Sequence, residues 1–281
     1  MIDDSTLHRM AEALVEVPGV RAVVLGGSRA RGTYTETSDF DLGVYYDRDR
    51  LDVDALAGLA EAISPGAELA GPGGWGPWVD GGAWLTVADT AVDWVLRDIR
   101  RVREQCARAV RGEFAFHAQP GHPLGFLDLS YAGEVATCRP LADPEGLIPD
   151  LRAGLAPYPE ALRRSLVDNL WHARFLLDIA GKGAARCDVA YVAACCSTAA
   201  MIAGHAWHAA AGRWVLNEKD LVPGVARLPL DTGGFTDLVH RALASLGETE
   251  SDLRVAIAHT RQAVDETLRR LGWTGPVADP E

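Results

Sequence analysis

Two aspartates two residues apart, Asp39 and Asp41 in SDFDL, follow a glycine-serine turn at Gly26-Gly27-Ser28. Residues i and i+2 of a β-strand project from one face, so a strand here sets two carboxylates side by side. Their repulsion calls for a counterion. Mg²⁺ suits the place, because it takes hard oxygen ligands in an octahedron and keeps positions for water and phosphate oxygens. A Gly-Gly-Ser turn after a strand can aim backbone N–H groups and a hydroxyl at a phosphate. Loop and carboxylates then hold a metal–triphosphate complex between them instead of competing for one anion.

Displacement at a phosphate between two metal ions needs a further carboxylate on a neighbouring element. Asp93, in AVDWVL, is the first candidate, since a strand among those apolar residues would bury it unless something charged met it. Asp89, beside Thr90, is the rival and reads as part of a turn. Two other phosphate-binding patterns fail. Gly27 to Gly32 has the glycine spacing of a Walker A loop, but Thr33-Tyr34 stands where the lysine and hydroxyl residue belong, and the dinucleotide-binding glycine spacing is absent.

The elements that must position these groups follow from periodicity. Leu7, Met10, Ala11, Leu14 and Val15 share a helical face, and Pro18-Gly19 ends that helix. Val20 to Leu25 reads as a buried strand running into the glycine turn, and Phe40 to Tyr46 as a second. Asp52 to Ile63 is helical; Ala83 to Val87 and Ala91 to Leu96 are strands around an Asp89-Thr90 turn; Asp98 to Val110 is helical. Alternating strands and helices predict an α/β arrangement for this half. Beyond about Pro140 the chain is helix-favouring throughout: Glu160 to Ile179, Val189 to Gly212, Thr236 to Leu246 and Glu250 to Leu271 predict a bundle. The expected division is 1–142 and 143–281.

GGSRARG, SDFDL and the later apolar-Asp-apolar strand together resemble the signature of the polymerase-beta-like nucleotidyltransferase superfamily. Within it the chain is similar to the bacterial kanamycin and lincosamide nucleotidyltransferases and to the minimal nucleotidyltransferases of toxin–antitoxin pairs. The resemblance covers residues 26–46 and 91–96. It implies a mixed sheet flanked by helices (α+β or α/β) with an all-α domain behind it. It also implies that Gly27 and Ser28 hold the β- and γ-phosphates, that Asp39 and Asp41 ligate Mg²⁺, and that Asp93 joins them at the second metal and helps deprotonate the acceptor. Arg31 would steady the triphosphate, or is a surface charge.

In the antibiotic-modifying relatives a carboxylate outside this core often serves as general base, a role for which Glu134, with Asp128 behind it, is the candidate against a structural reading. Lys219 could bring a point charge to a phosphate, or be solvated. His205 and His208 stand three apart on a predicted helix without a further ligand at suitable spacing, and read as cleft or core residues. Trp75, Trp78 and Trp84 could stack a base or cover a cleft, with packing under the loop GPGGWGPW the plainer alternative.

The implied activity is Mg²⁺-dependent transfer of a nucleoside monophosphate, AMP from ATP first, to a hydroxyl of a small molecule such as an aminoglycoside- or lincosamide-like antibiotic, releasing pyrophosphate. Protein AMPylation and nucleotide binding without catalysis are the alternatives. Composition sets the partners. The 281 residues carry 39 acidic against 27 basic groups and a formal charge of −12, with no basic stripe to track a polynucleotide. Five cysteines without CxxC spacing predict neither a disulfide framework nor a zinc site. The acidic N-terminal stretch lacks the basic and apolar regions of a signal peptide, so a cytoplasmic setting is expected. The uncharged run Val189 to Gly212 is long enough for a membrane span, but its alanines, histidines and hydroxyls favour a buried helix. A homodimer is an open expectation.

Overall fold

The computed structural model describes residues 2–273 and 275. The chain forms two compact units, residues 1–110 with 114–156, and residues 111–113 with 157–281. The end of the second unit at 276–281 lies outside the described residues. The division falls at Ala156/Pro157, later than the 142/143 expected from proline punctuation, because the segment after Ala142 is tied to the first unit. Asp143 accepts from the amides of Leu147 and Ile148, Arg152 donates to the carbonyls of Val135 and Cys138, and Ile148 and Leu155 are buried.

The first unit runs in chain order α1 (Asp4–Val15), β1 (Val20–Leu25), α2 (Gly27–Ala30), β2 (Phe40–Tyr46), α3 (Val53–Ile63), β3 (Leu69–Ala70), β4 (Gly82–Val87), β5 (Thr90–Asp98), α4 (Ile99–Val110), β6 (Phe116–His117), β7 (Phe126–Leu127), α5 (Leu129–Thr137), β8 (Arg139–Ala142) and α6 (Leu147–Arg152). Its main sheet has the order β3-β4-β5-β2-β1-β8, and β6-β7 form a separate ribbon. β2 and β5 pair in parallel, while their neighbours pair antiparallel. The sheet is mixed, as expected of the superfamily fold.

Alternation along the strands separates two faces. Leu42, Val44 and Tyr46 of β2, Val92, Trp94 and Leu96 of β5, and Ala83 and Leu85 of β4 turn to one side, where they share a core with Leu7, Met10 and Leu14 of α1 and with Leu56 and Ala60 of α3. The apolar spacing in α1 and α3 makes them helices of that face. Asp3 and Asp52 accept the amides of Thr6 and Ala55 to cap them. Opposite is the polar face: Asp41, Gly43 and Tyr45 on β2, and Asp93, Val95 and Arg97 on β5.

The second unit contains α7 (Glu160–Asp168), α8 (Leu170–Ala184), α9 (Val189–Ala210), α10 (Leu221–Val225), α11 (Phe235–Ala244) and α12 (Glu250–Arg270). Leu170, Leu177, Val192, Cys196, Ala199, Trp207, Phe235, Leu253 and Val264 lie in one buried core. α9 is long and apolar enough to cross a membrane, yet 56% of its most apolar stretch is buried inside the protein. The Trp207 indole N–H donates to Thr267 Oγ1 at 2.9 Å, and Thr249 with Asp252 closes a capping box at the start of α12.

Candidate active site

The parallel register sets Asp41 of β2 directly opposite Asp93 of β5, with both side chains on the polar face. Asp39 is exposed, one residue before β2, and close enough for its charge to act on Asp41. β1 ends beside β2, where the Gly26 amide donates to the Asp41 carbonyl at 2.8 Å and the chain turns into α2. Gly27 stands at φ +59, and a Cβ on it would fall within the Asp41 carboxyl group. Glycine is required there twice over, for its left-handed backbone and for the approach of turn to carboxylate.

Burial is the largest influence on Asp41 and raises its carboxyl above the ordinary range, and the negative charges of Glu134 and Asp39 push the same way. Arg97 and Arg31 act in the opposite direction more weakly. Arg31 is exposed at the end of α2, within electrostatic reach of Asp41.

Residues 7–69 match the family model described as a nucleotidyltransferase domain. That stretch is similar to a nucleotidyltransferase domain. The match spans α1 to β3 and so includes the glycine turn, Asp39 and Asp41, and it supports nucleotidyl transfer as the general activity and the resemblance to the polymerase-beta-like superfamily. Among solved structures, a nucleotidyltransferase-like protein from Exiguobacterium sibiricum 255-15 aligns with 96% of this chain and 77% of its own at 12% identity and a TM-score of 0.40. No curated protein matches the chain.

Among the described residues, no three His, Cys, Asp or Glu side chains are gathered closely enough to cage a metal ion by themselves. The donor set around Asp41 still fits a hard divalent cation. It consists of carboxylate oxygens, and Asp41 is a half-buried carboxyl disfavoured by two further negative charges, which a cation would relieve. Mg²⁺ needs only one or two carboxylates when substrate phosphates and waters complete its shell.

Glu134 of α5 is brought to this face but not as a carboxylate open to substrate. Its Oε2 accepts from Arg97 Nη2 at 2.7 Å, and its Oε1 from Arg97 Nε at 2.9 Å and from the Tyr45 hydroxyl at 2.8 Å. This forked ion pair is nearly buried, with side chains 12% and 16% exposed. A Cβ on Gly43 would lie 3.0 Å from Glu134 Oε1, so the glycine in FDLGV makes room for the carboxylate above β2. Both carboxylate oxygens are thus engaged by Arg97 and Tyr45, an arrangement that agrees with the structural reading weighed against the general-base one. Asp128, the second candidate, is 1% exposed and accepts from Arg108, His117 and the Ala115 amide.

Three residues that matter here have no role in the motif. Arg97 and Tyr45 are the partners of Glu134; the even spacing Asp93-Val95-Arg97 along β5 and Asp41-Gly43-Tyr45 along β2 was the available signal. Arg29 holds the loop that carries Asp39. Its Nε donates to the carbonyls of Ser38 and Asp39 at 3.0 and 3.1 Å, and its guanidinium lies 3.8 Å from the Phe40 ring centre and 4.8 Å from that of Tyr34.

The remaining candidates are placed as follows. Ser28 is half-buried in the first turn of α2. Asp89 stands at φ +60 in the tight β4–β5 turn, as expected of the rival to Asp93. Lys219 is an exposed residue of the second unit, its amide donating to Asn217 Oδ1. His205 is buried in α9, where burial pushes its imidazole down to about 3, and His208 turns Nε2 to the Leu221 carbonyl at 3.0 Å. Burial pushes the thiols of Cys106 and Cys138 up to about 12, so neither is a nucleophile at neutral pH. Trp78 packs against His117, with ring centres 3.6 Å apart.

Proposed function

We propose that the chain is a Mg²⁺-dependent nucleotidyltransferase that moves AMP from ATP to a hydroxyl of a small acceptor and releases pyrophosphate. The observation that carries this reading is the register of Asp41 against Asp93 beside a turn whose Gly27 cannot be replaced without displacing Asp41.

The roles follow from placement. The amides at the start of α2 and the Ser28 hydroxyl hold the β- and γ-phosphates, with Arg31 adding positive charge from the end of that turn. Asp39, Asp41 and Asp93 hold the metal. Bound there, a divalent cation supplies charge neutralisation at the α-phosphate and at the departing pyrophosphate. Asp93 Oδ takes the proton of the acceptor hydroxyl as its oxygen bonds to the α-phosphorus and the bond to the β-phosphate oxygen breaks. The Arg97–Glu134 pair fixes the floor of the site, so most of the rate comes from positioning and charge.

An aminoglycoside- or lincosamide-like acceptor is supported by the resemblance and by the net negative charge of the chain, which favours cationic ligands. The test uses ATP labelled at the α-phosphate with Mg²⁺ and a panel of these hydroxylated antibiotics. Label appearing in an acceptor in the wild type and not in Asp93→Asn supports the reading. Label passing to a protein instead would favour the AMPylating alternative, and no label leaving ATP in any mixture would contradict it.

A further inference from the structure

β4 pairs antiparallel with β5 so that Trp84 stands opposite Asp93, which puts the indole on the same face as Asp93 and Asp41. Trp84 is 68% exposed, the most exposed large apolar side chain among the described residues. An indole in water next to a carboxylate cluster gains nothing from folding, and the hydrophobic effect works against leaving it there. Trp75 stacks behind it, with ring centres 4.6 Å apart and planes at 21°.

Trp75 is itself seated by a constructed loop. Its amide donates to the Asp80 carbonyl at 2.9 Å, and its carbonyl accepts from Gln119 Nε2 at 2.7 Å. A Cβ on Gly82 would come within 2.7 Å of the Trp75 ring, so glycine at this position lets the ring lie against β4. Asp80, at φ +73 and 2% exposed, anchors the loop by accepting from the Tyr46 hydroxyl at 2.6 Å and from the Gly73 amide at 2.9 Å. Such anchoring, spent on keeping one indole face open, points to a flat ligand.

The order across the sheet matches that of a nucleotide. From β1 outward, the polar face presents the Gly27-Ser28 turn, then Asp41, then Asp93, then Trp84. A nucleoside triphosphate has the same order: β- and γ-phosphates, α-phosphate, then ribose and base. Resting on the proposed nucleotidyl-transfer reading, we propose that Trp84, backed by Trp75, is the platform on which the base of the nucleoside triphosphate stacks. Every base offers a π-face, so this subsite by itself discriminates little between bases.

The test is calorimetric binding of ATP with Mg²⁺ and of inorganic tripolyphosphate with Mg²⁺ to the full chain as wild type, Trp84→Ala and Trp84→Phe. The expected result is ATP binding weakened about ten-fold or more in Trp84→Ala, retained in Trp84→Phe, and tripolyphosphate binding unchanged in both. CTP and GTP should bind wild type within a few-fold of ATP and lose a similar factor in Trp84→Ala. Unchanged ATP affinity in Trp84→Ala overturns the proposal and leaves the indole to the acceptor. An equal loss for tripolyphosphate also overturns it, because the indole would then act through the phosphate site. Failure of wild type to bind either ligand would count against the nucleotidyl-transfer reading itself, a result distinct from both.

Discussion

Gly27 and Asp41 occupy adjoining space such that any side chain at position 27 would collide with the Asp41 carboxyl group. Gly27→Ala is therefore expected to abolish Mg²⁺–ATP binding by displacing Asp41, and to cost about 1 kcal/mol of stability for a non-glycine residue in the left-handed region. Calorimetry and thermal unfolding measure the two effects. A variant that binds normally would show that turn and carboxylate do not act together.

Asp41 carries the clearest pH signature. Its carboxyl is raised in the folded state, so between the unfolded and folded values the native protein holds the extra proton, and stability falls as pH rises through that window. Asp41→Asn removes this cost and is expected to raise the metal-free unfolding midpoint of the first unit by about 2–4 °C while eliminating nucleotide transfer. Mg²⁺ binding should release a proton under mildly acidic conditions, seen as a buffer-dependent heat in calorimetry. A midpoint lowered in Asp41→Asn would contradict the electrostatic account.

Glu134 separates positioning from catalysis. Truncating it to Ala leaves Arg97 buried and unpaired, which is expected to cost about 3–5 kcal/mol, and replacing the pair by Glu134→Met with Arg97→Met should recover much of that stability. Glu134→Gln keeps the acceptor for Tyr45 and should lose stability and turnover together. Turnover abolished in Glu134→Gln at wild-type stability would make it the general base instead.

Arg29 is expected to act on the metal through the loop before β2. Arg29→Ala frees the Ser38 and Asp39 carbonyls from their guanidinium clamp, and should weaken metal-dependent ATP binding about ten-fold or more with little change in the unfolding midpoint. Tripolyphosphate binding measured without metal should hardly change. An unfolding midpoint lowered as much as in Glu134→Ala would make Arg29 a core residue of the fold.

The legible part of the site was its local part. Asp39 and Asp41 stand two apart on one chain segment, and although Asp39 falls just before β2 its charge still acts on Asp41. The glycine turn was visible as a turn, but the reason Gly27 must be glycine depends on the Asp41 side chain reaching back beneath it. Asp93 was identified by its apolar setting, and its exact register against Asp41 needed the parallel β2–β5 pairing. Glu134 was legible as a carboxylate with two readings, general base or structural, and its partners Arg97 and Tyr45, on strands distant in sequence, were not. The proline-rich stretch after Ala142 looked like a boundary because the amides capped by Asp143 and the carbonyls held by Arg152 leave no mark in composition. Trp84 was seen only as one of several tryptophans, because its exposure depends on what fails to cover β4.

The central claim is that the glycine turn and the three aspartates hold a metal–triphosphate complex. Its most direct test is calorimetric titration of ATP and a non-hydrolysable α,β analogue, with and without Mg²⁺, into wild type and the Asp39→Ala/Asp41→Ala variant. The account predicts binding that requires Mg²⁺ in the wild type and is lost in the variant. Equal binding in the two proteins, or nucleotide binding indifferent to Mg²⁺, would contradict it.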